Sequence, residues 1–149
     1  MFNSISGITD HLINHLKTHC KAVKTVEIFP VPLTEFPIDR PTVSVGLESA
    51  EIHYGEGIYE GDDEDGNSYY GAKAACTYAL KICISKSQSG LNCYAAFDAV
   101  ANACLGITEL NIIRVFLGGI TYDRSMGALV LTAGIELTAK LETVVKKEK

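Results

Sequence analysis

The stretch from Asn111 to Leu141 constrains this chain more than any other. Two apolar-rich runs there flank the polar break Tyr122-Asp-Arg-Ser-Met-Gly127. In the second run Leu129, Leu131, Ala133, Ile135, Leu137, Ala139 and Leu141 occupy one phase of a two-residue period. Val130, Thr132, Gly134, Glu136, Thr138 and Lys140 occupy the other. Side chains alternate across a strand, so a period of two held over this length requires a strand with one buried face. The polar break then reads as a turn, and the whole stretch as a C-terminal β-hairpin. Gly118-Gly119, inside the first run, marks a bulge or a close backbone approach. The second phase, Val130, Thr132, Gly134, Glu136 and Thr138, is small and low in charge, a candidate contact face for another subunit.

The remaining elements are placed around that hairpin. Ser4 or Ser6 caps a helix to about Lys21, with Ile5, Ile8, Leu12, Leu16 and Cys20 on one stripe. Thr25–Phe29 alternates as a short strand. Pro30, Pro32, Pro37 and Pro41 follow, interleaved with Val31, Leu33, Phe36 and Ile38. Proline removes backbone donors, so this is an extended arm lying over the domain surface or against a neighbouring subunit. Thr42–Glu48 is a half-buried strand with Val43, Val45 and Leu47 inward, continued through Ala50, Ile52 and Tyr54 after a register break. Periodicity disappears between Gly55 and Gly71, where glycines separate Glu56, Glu60, Asp62, Asp63, Glu64 and Asp65, and the segment reads as a long acidic loop. A long strand follows from Ala72 to Ser85, its buried face Ala74, Cys76, Tyr78, Leu80, Ile82 and Ile84. A second helix begins near Leu91, with Tyr94, Phe97, Ala101, Cys104 and Leu105 as its apolar stripe and Gly106 past its end. Segregated helices and dominant strands predict an α+β fold: a mixed, mainly antiparallel sheet with two helices on one face. Residues 1–149 are expected to form a single domain, with a frayed charged tail from about 142 to 149.

Composition narrows the chemistry. An apolar fraction of 47% with 21% charged residues is ordinary for a globular chain. No apolar run reaches 18 residues, so no membrane helix is expected, and the N-terminus has no signal-peptide pattern. Five cysteines without a C-x-x-C pair read as reduced thiols of an intracellular product. The net charge of −5 is unevenly spread. Eight acidic residues and no Lys or Arg lie between Arg40 and Lys73, leaving +3 on the remainder, 13 basic residues against 10 acidic. No basic stripe suits specific nucleic-acid binding.

Catalytic constellations are missing. There is no Gly-x-Ser-x-Gly, and nothing in spacing favours pairing Cys83 or Cys93 with His53. His11, His15 and His19 form a ladder at the edge of the first helix's apolar stripe, read as a tolerant flank in preference to a metal site. Asp63, Asp65 and Gly66 echo a calcium loop, but Gly61 and Ala72 stand where its first and twelfth ligands belong. Glu60, Asp62, Asp63, Glu64 and Asp65 instead suit a solvated loop, or an acidic surface turned to a basic partner or a charged lumen. Asp123 and Arg124 suit the hairpin tip or an intersubunit ion pair. No catalytic, cofactor-binding or metal-binding residue is expected. A small core with a proline arm, an acidic projection and a long hairpin is the build of a ring-forming subunit.

In order and texture the chain resembles the tail terminator (tail completion) proteins of bacteriophages and of phage-tail-like particles such as R-type bacteriocins. The resemblance rests on Ile5 to Lys21, Phe29 to Leu47, Ala72 to Gly106, and Gly118-Gly-Ile-Thr-Tyr-Asp-Arg-Ser-Met-Gly-Ala128 leading into the last strand. It implies a structural assembly protein, not an enzyme. Such a subunit forms a homo-hexameric ring on the end of the tail tube, stops its polymerisation, and contacts the last sheath layer in a contractile tail or the head connector. The implied partners are further copies of itself, tube protein, sheath protein and head connector, with no membrane partner. The implied location is the bacterial cytoplasm during assembly and then the virion or tail-like particle. On this reading Pro30, Pro32, Phe36, Asp123, Arg124, Val130, Thr132 and Glu136 are candidate subunit or tube contacts. A head–tail connector, neck or tail-tube protein is the nearest alternative, and a small cytoplasmic ligand-binding domain or enzyme a more distant one.

Overall fold

The computed structural model describes residues 2–27, 41–85, 90–124 and 127–147. The elements are α1 (Ile5–His19), β1 (Lys24–Glu27), β2 (Thr42–Asp62), β3 (Ser68–Ser85), α2 (Gly90–Cys104), β4 (Leu110–Asp123) and β5 (Ala128–Val145). The strands form one sheet in the order β1-β2-β3-β5-β4. β1 runs parallel to β2, and the other neighbours are antiparallel. This is the mixed, mainly antiparallel α+β sheet expected from the alternation pattern.

α1 starts at Ser4, whose Oγ accepts a 3.0 Å hydrogen bond from the Gly7 amide. That bond satisfies one of the donors a helix start leaves free. Ile8, Leu12, Ile13 and Leu16 are buried at helical spacing. α1 lies over β1 and β2 while α2 lies over β3, β5 and β4, so both helices cover one face. The sheet's half of that core is the alternating set read from sequence. Tyr78 opposes Ile135, Leu80 opposes Ala133 and Ile82 opposes Leu131, all buried. Tyr78 is wholly buried, and its hydroxyl meets Thr9 Oγ1 at 2.8 Å, joining sheet to α1.

The structure corrects three expectations. The residues read as a long acidic loop form the end of a β2–β3 hairpin, strand to Asp62 and again from Ser68, with a turn over 63–67 only. Register shifts between His53 and Ile58 and between Tyr59 and Gly61 interrupt the pairing. Bulges put an extra residue on one strand and shift its phase, which erases alternation from the sequence without ending the strand. The tail read as frayed is strand as far as Val145, which pairs with Ser68. The lengthened β3 supplies a partner for β-branched Thr143, Val144 and Val145. The α2 stripe is also rotated: Cys93, Ala96, Val100 and Cys104 are buried, whereas Tyr94 and Leu105 are exposed. Asn92, Asp98 and Asn102 mark only the outward side of α2, and its many alanines leave the exact inward stripe open.

Candidate assembly surfaces

The hairpin tip is built around Asp63. Its carboxylate accepts from the Asp65 and Asn67 amides, each at 2.9 Å, and from Asn67 Nδ2 and the Tyr69 hydroxyl, each at 3.0 Å. Gly66 takes φ +81°, a conformation L side chains rarely adopt, and donates its amide to Asp63 O at 3.1 Å. Asp62 accepts 2.6 Å from Ser68 Oγ, and Glu60 pairs with Lys140 at 2.6 Å. These bonds hold all three carboxyls below their ordinary acid range. The largest cause is Asn67 for Asp63, Ser68 for Asp62 and Lys140 for Glu60. Glu64 and Asp65 are exposed at the turn. The repelling, solvated loop expected here is thus an ordered acidic tip, and Asp63's oxygens are committed to the turn.

The other candidate contacts fall in two places. Asp123 closes β4 opposite Ala128, with Arg124 exposed beyond it at the far tip. Val130, Thr132 and Glu136 share the sheet face away from the helices, but not as the bare surface expected. Val130 and Thr138 are buried. The Phe116 ring occupies the space a side chain at Gly134 would fill. The Arg114 guanidinium sits 4.3 Å from the Phe116 ring centre, with its Nε 2.6 Å from Glu136. Thr132 remains exposed, its Oγ1 3.4 Å from Gly119 O. The paired glycines form the expected bulge, between Leu117 and Ile120. Pro30, Pro32 and Phe36 lie outside the described residues.

Nucleophilic chemistry finds no site among the described residues. All five thiols are buried, and desolvation pushes each up, Cys83 and Cys104 to about 11. The neutral thiol is a poor nucleophile. His53 lies on exposed β2 beside Glu51 at 3.2 Å, eleven residues along the strand from Thr42, the register partner of Cys83. His11 and His15 use their Nε2 atoms on the carbonyls of Thr108 and Ala103, at 2.9 and 2.8 Å, which ties α1 to the end of α2. No group of three or more potential metal ligands occurs among the described residues.

What sequence reading missed is exposed apolar surface along both edges of the sheet. Leu47, Ile52, Tyr54, Tyr59 and Tyr70 are exposed on the β2–β3 side. Leu105, Ile113, Leu117 and Tyr122 are exposed on the β4 side. A groove of about 500 Å³ runs between the end of α2 and β4, lined by Leu105, Ile107, Leu110 and Ile113. The apolar phase of each strand was legible, but which members the helices leave uncovered was not.

No family model matches the chain, and no curated protein does. Among solved structures it is similar to the sheath/tube terminator of an extracellular contractile injection system, PVC, seen by cryo-EM in the extended state. The match has a TM-score of 0.56 at 13% identity and covers 100% of this chain and 62% of that one. This chain therefore spans less than two thirds of that subunit. At so low an identity the likeness is one of architecture, and the fold is that of a sheath/tube terminator of a contractile injection system.

Proposed function

We propose that this protein is a tail terminator: a subunit that assembles as a ring, hexameric by the resemblance, on the end of a tail tube. The ring stops tube polymerisation and contacts the last sheath layer or a head connector. The observation that carries this reading is the likeness to a sheath/tube terminator along the whole of this chain. The acidic tip at 62–65 and the hairpin tip at Asp123 and Arg124 lie at the ends of long strands, where a subunit in a ring would meet tube, sheath or lumen. Deleting the gene and measuring tail lengths by negative-stain microscopy tests it. Overlong tubes of variable length are expected. Tubes of normal length would overturn termination, and loss of all tubes would point to a tube or neck subunit instead.

A further inference from the structure

β1 fills only the start of the lane beside β2. It pairs with residues 42–45, and β2 runs on to Asp62 with no described strand on its outer side. Every residue of 47–54 is exposed, on both faces of the sheet. Leu47, Ala50 and Ile52 stand on the helix-bearing face, opposite Tyr78, Cys76 and Ala74. Glu51 and His53 stand on the other face, opposite Ala75 and Lys73. Register shifts before and after leave residues 49–53 as a regular stretch, about the length of an ordinary strand. A regular edge carries a row of unpaired backbone donors and acceptors, which an added strand can pair.

Charge selects the occupant. Between Arg40 and Lys73 the chain has eight carboxylates and no Lys or Arg. Two of them, Glu48 and Glu51, are exposed on this stretch of β2. Glu51 Oε2 lies 3.2 Å from His53 Nε2, an ion pair only when that ring is protonated. A further carboxylate, Asp10 of α1, lines a groove of about 220 Å³ between α1 and β2, together with Ile5, Ile13 and Leu47. The β2 residues of that groove begin at Val45, where the β1 pairing ends. A long cationic side chain suits it, its stem against the apolar lining and its head at the carboxylate.

We infer that this edge of β2 is a docking lane for an extended, Lys- or Arg-containing segment of another protein, which adds as a strand beside residues 49–53. Apolar residues of that segment lie beside Ala50 and Ile52, alternating with a basic residue beside Glu51, and a further basic side chain enters the groove at Asp10. A second copy of this chain is a poorer occupant through its own β2, because two such edges would set like charges against each other. The inference does not use the terminator reading: tail length after gene deletion reports on termination, and peptide binding reports on this edge.

The test titrates the full chain with a short fluorescent peptide of alternating Lys and Val, followed by anisotropy and hydrogen exchange. Binding is expected, with new protection at alternate amides of residues 49–53, those turned away from β3. Replacing the peptide's Lys by Glu, or methylating all its backbone nitrogens, should abolish binding. In the protein, Glu48→Lys with Glu51→Lys should weaken binding about tenfold, as two exposed ion pairs allow. Glu64→Lys with Asp65→Lys makes the same change of charge at the hairpin turn and should leave binding near the wild-type value; circular dichroism checks that both variants fold. Equal weakening by the two pairs would overturn the lane in favour of diffuse attraction to an acidic surface. Undiminished binding of the methylated peptide would overturn strand addition, and that measurement needs no protein variant. No binding of the Lys–Val peptide would overturn the basic partner. Protection of the edge by self-association before any peptide is added would overturn it in favour of a second copy.

Discussion

Two backbone and two side-chain hydrogen bonds converge on the carboxylate of Asp63, an arrangement that serves a turn better than a cation site. Asp63→Ala should leave the core intact and speed hydrogen exchange at the Asp65 and Asn67 amides. Unchanged protection would show that the turn holds without it. The same groups define an acid response. Glu60, Asp62 and Asp63 titrate below their ordinary values of 4.5, 3.8 and 3.8, so their contribution is complete above those values and is lost as pH falls through the lower, folded ones. Protection factors at the tip, measured against the intrinsic exchange rate at each pH, should therefore fall below about pH 4, before far-UV circular dichroism changes. Burial keeps the thiols neutral, so Ellman's reagent should find almost none of them in native protein at pH 8 and all five after denaturation. Tyr78, its hydroxyl pushed up to about 12 chiefly by burial, is the largest fully buried side chain. Tyr78→Phe should cost about 1 kcal/mol for the lost Thr9 bond, and Tyr78→Ala about 3–5 kcal/mol for the cavity. Both are measured by urea unfolding.

Among elements, the β4–β5 hairpin was the most legible in sequence. Its alternating face, the break between its two strands and the bulge at Gly118-Gly119 stand where the pattern put them. A strand pattern survives because each residue reports its own side of the sheet. The β2–β3 hairpin was legible only where pairing is regular, and it failed where bulges shifted the phase. α2 failed for a different reason: alanines and cysteines allow several faces to approach a sheet, and only the neighbouring strands choose between them. The back of β5 offers a test at this scale. Phe116 packs where a side chain at Gly134 would go, so Gly134→Val should destabilise by about 1–3 kcal/mol by overpacking. Much of that loss should disappear in a Phe116→Ala background, giving a double-mutant coupling energy well above experimental error. Additive losses would mean that the ring is not what resists the substitution.

For the molecule as a whole, the fold class was readable from the sequence, and the resemblance to terminator proteins agrees with the architecture found by comparison of structures. The candidate contacts were less legible. The acidic positions do cluster at one tip, but as ordered turn residues, and Glu136 is engaged by Arg114 within the same sheet. The exposed apolar side chains near the sheet's edges were not singled out, because edge status belongs to the order of strands in space. By itself the sequence determined what is local and repeated: period-two strands, the first helix with a serine cap at its start, the break between the last two strands and the uneven distribution of charge. Tertiary structure alone decided which face of α2 turns inward, where the bulged hairpin ends, which carboxylates become caps and which strands stand at the edges. Those outcomes depend on partners far away in the chain. A side chain's period records its own strand or helix, whereas its burial depends on what another segment places over it.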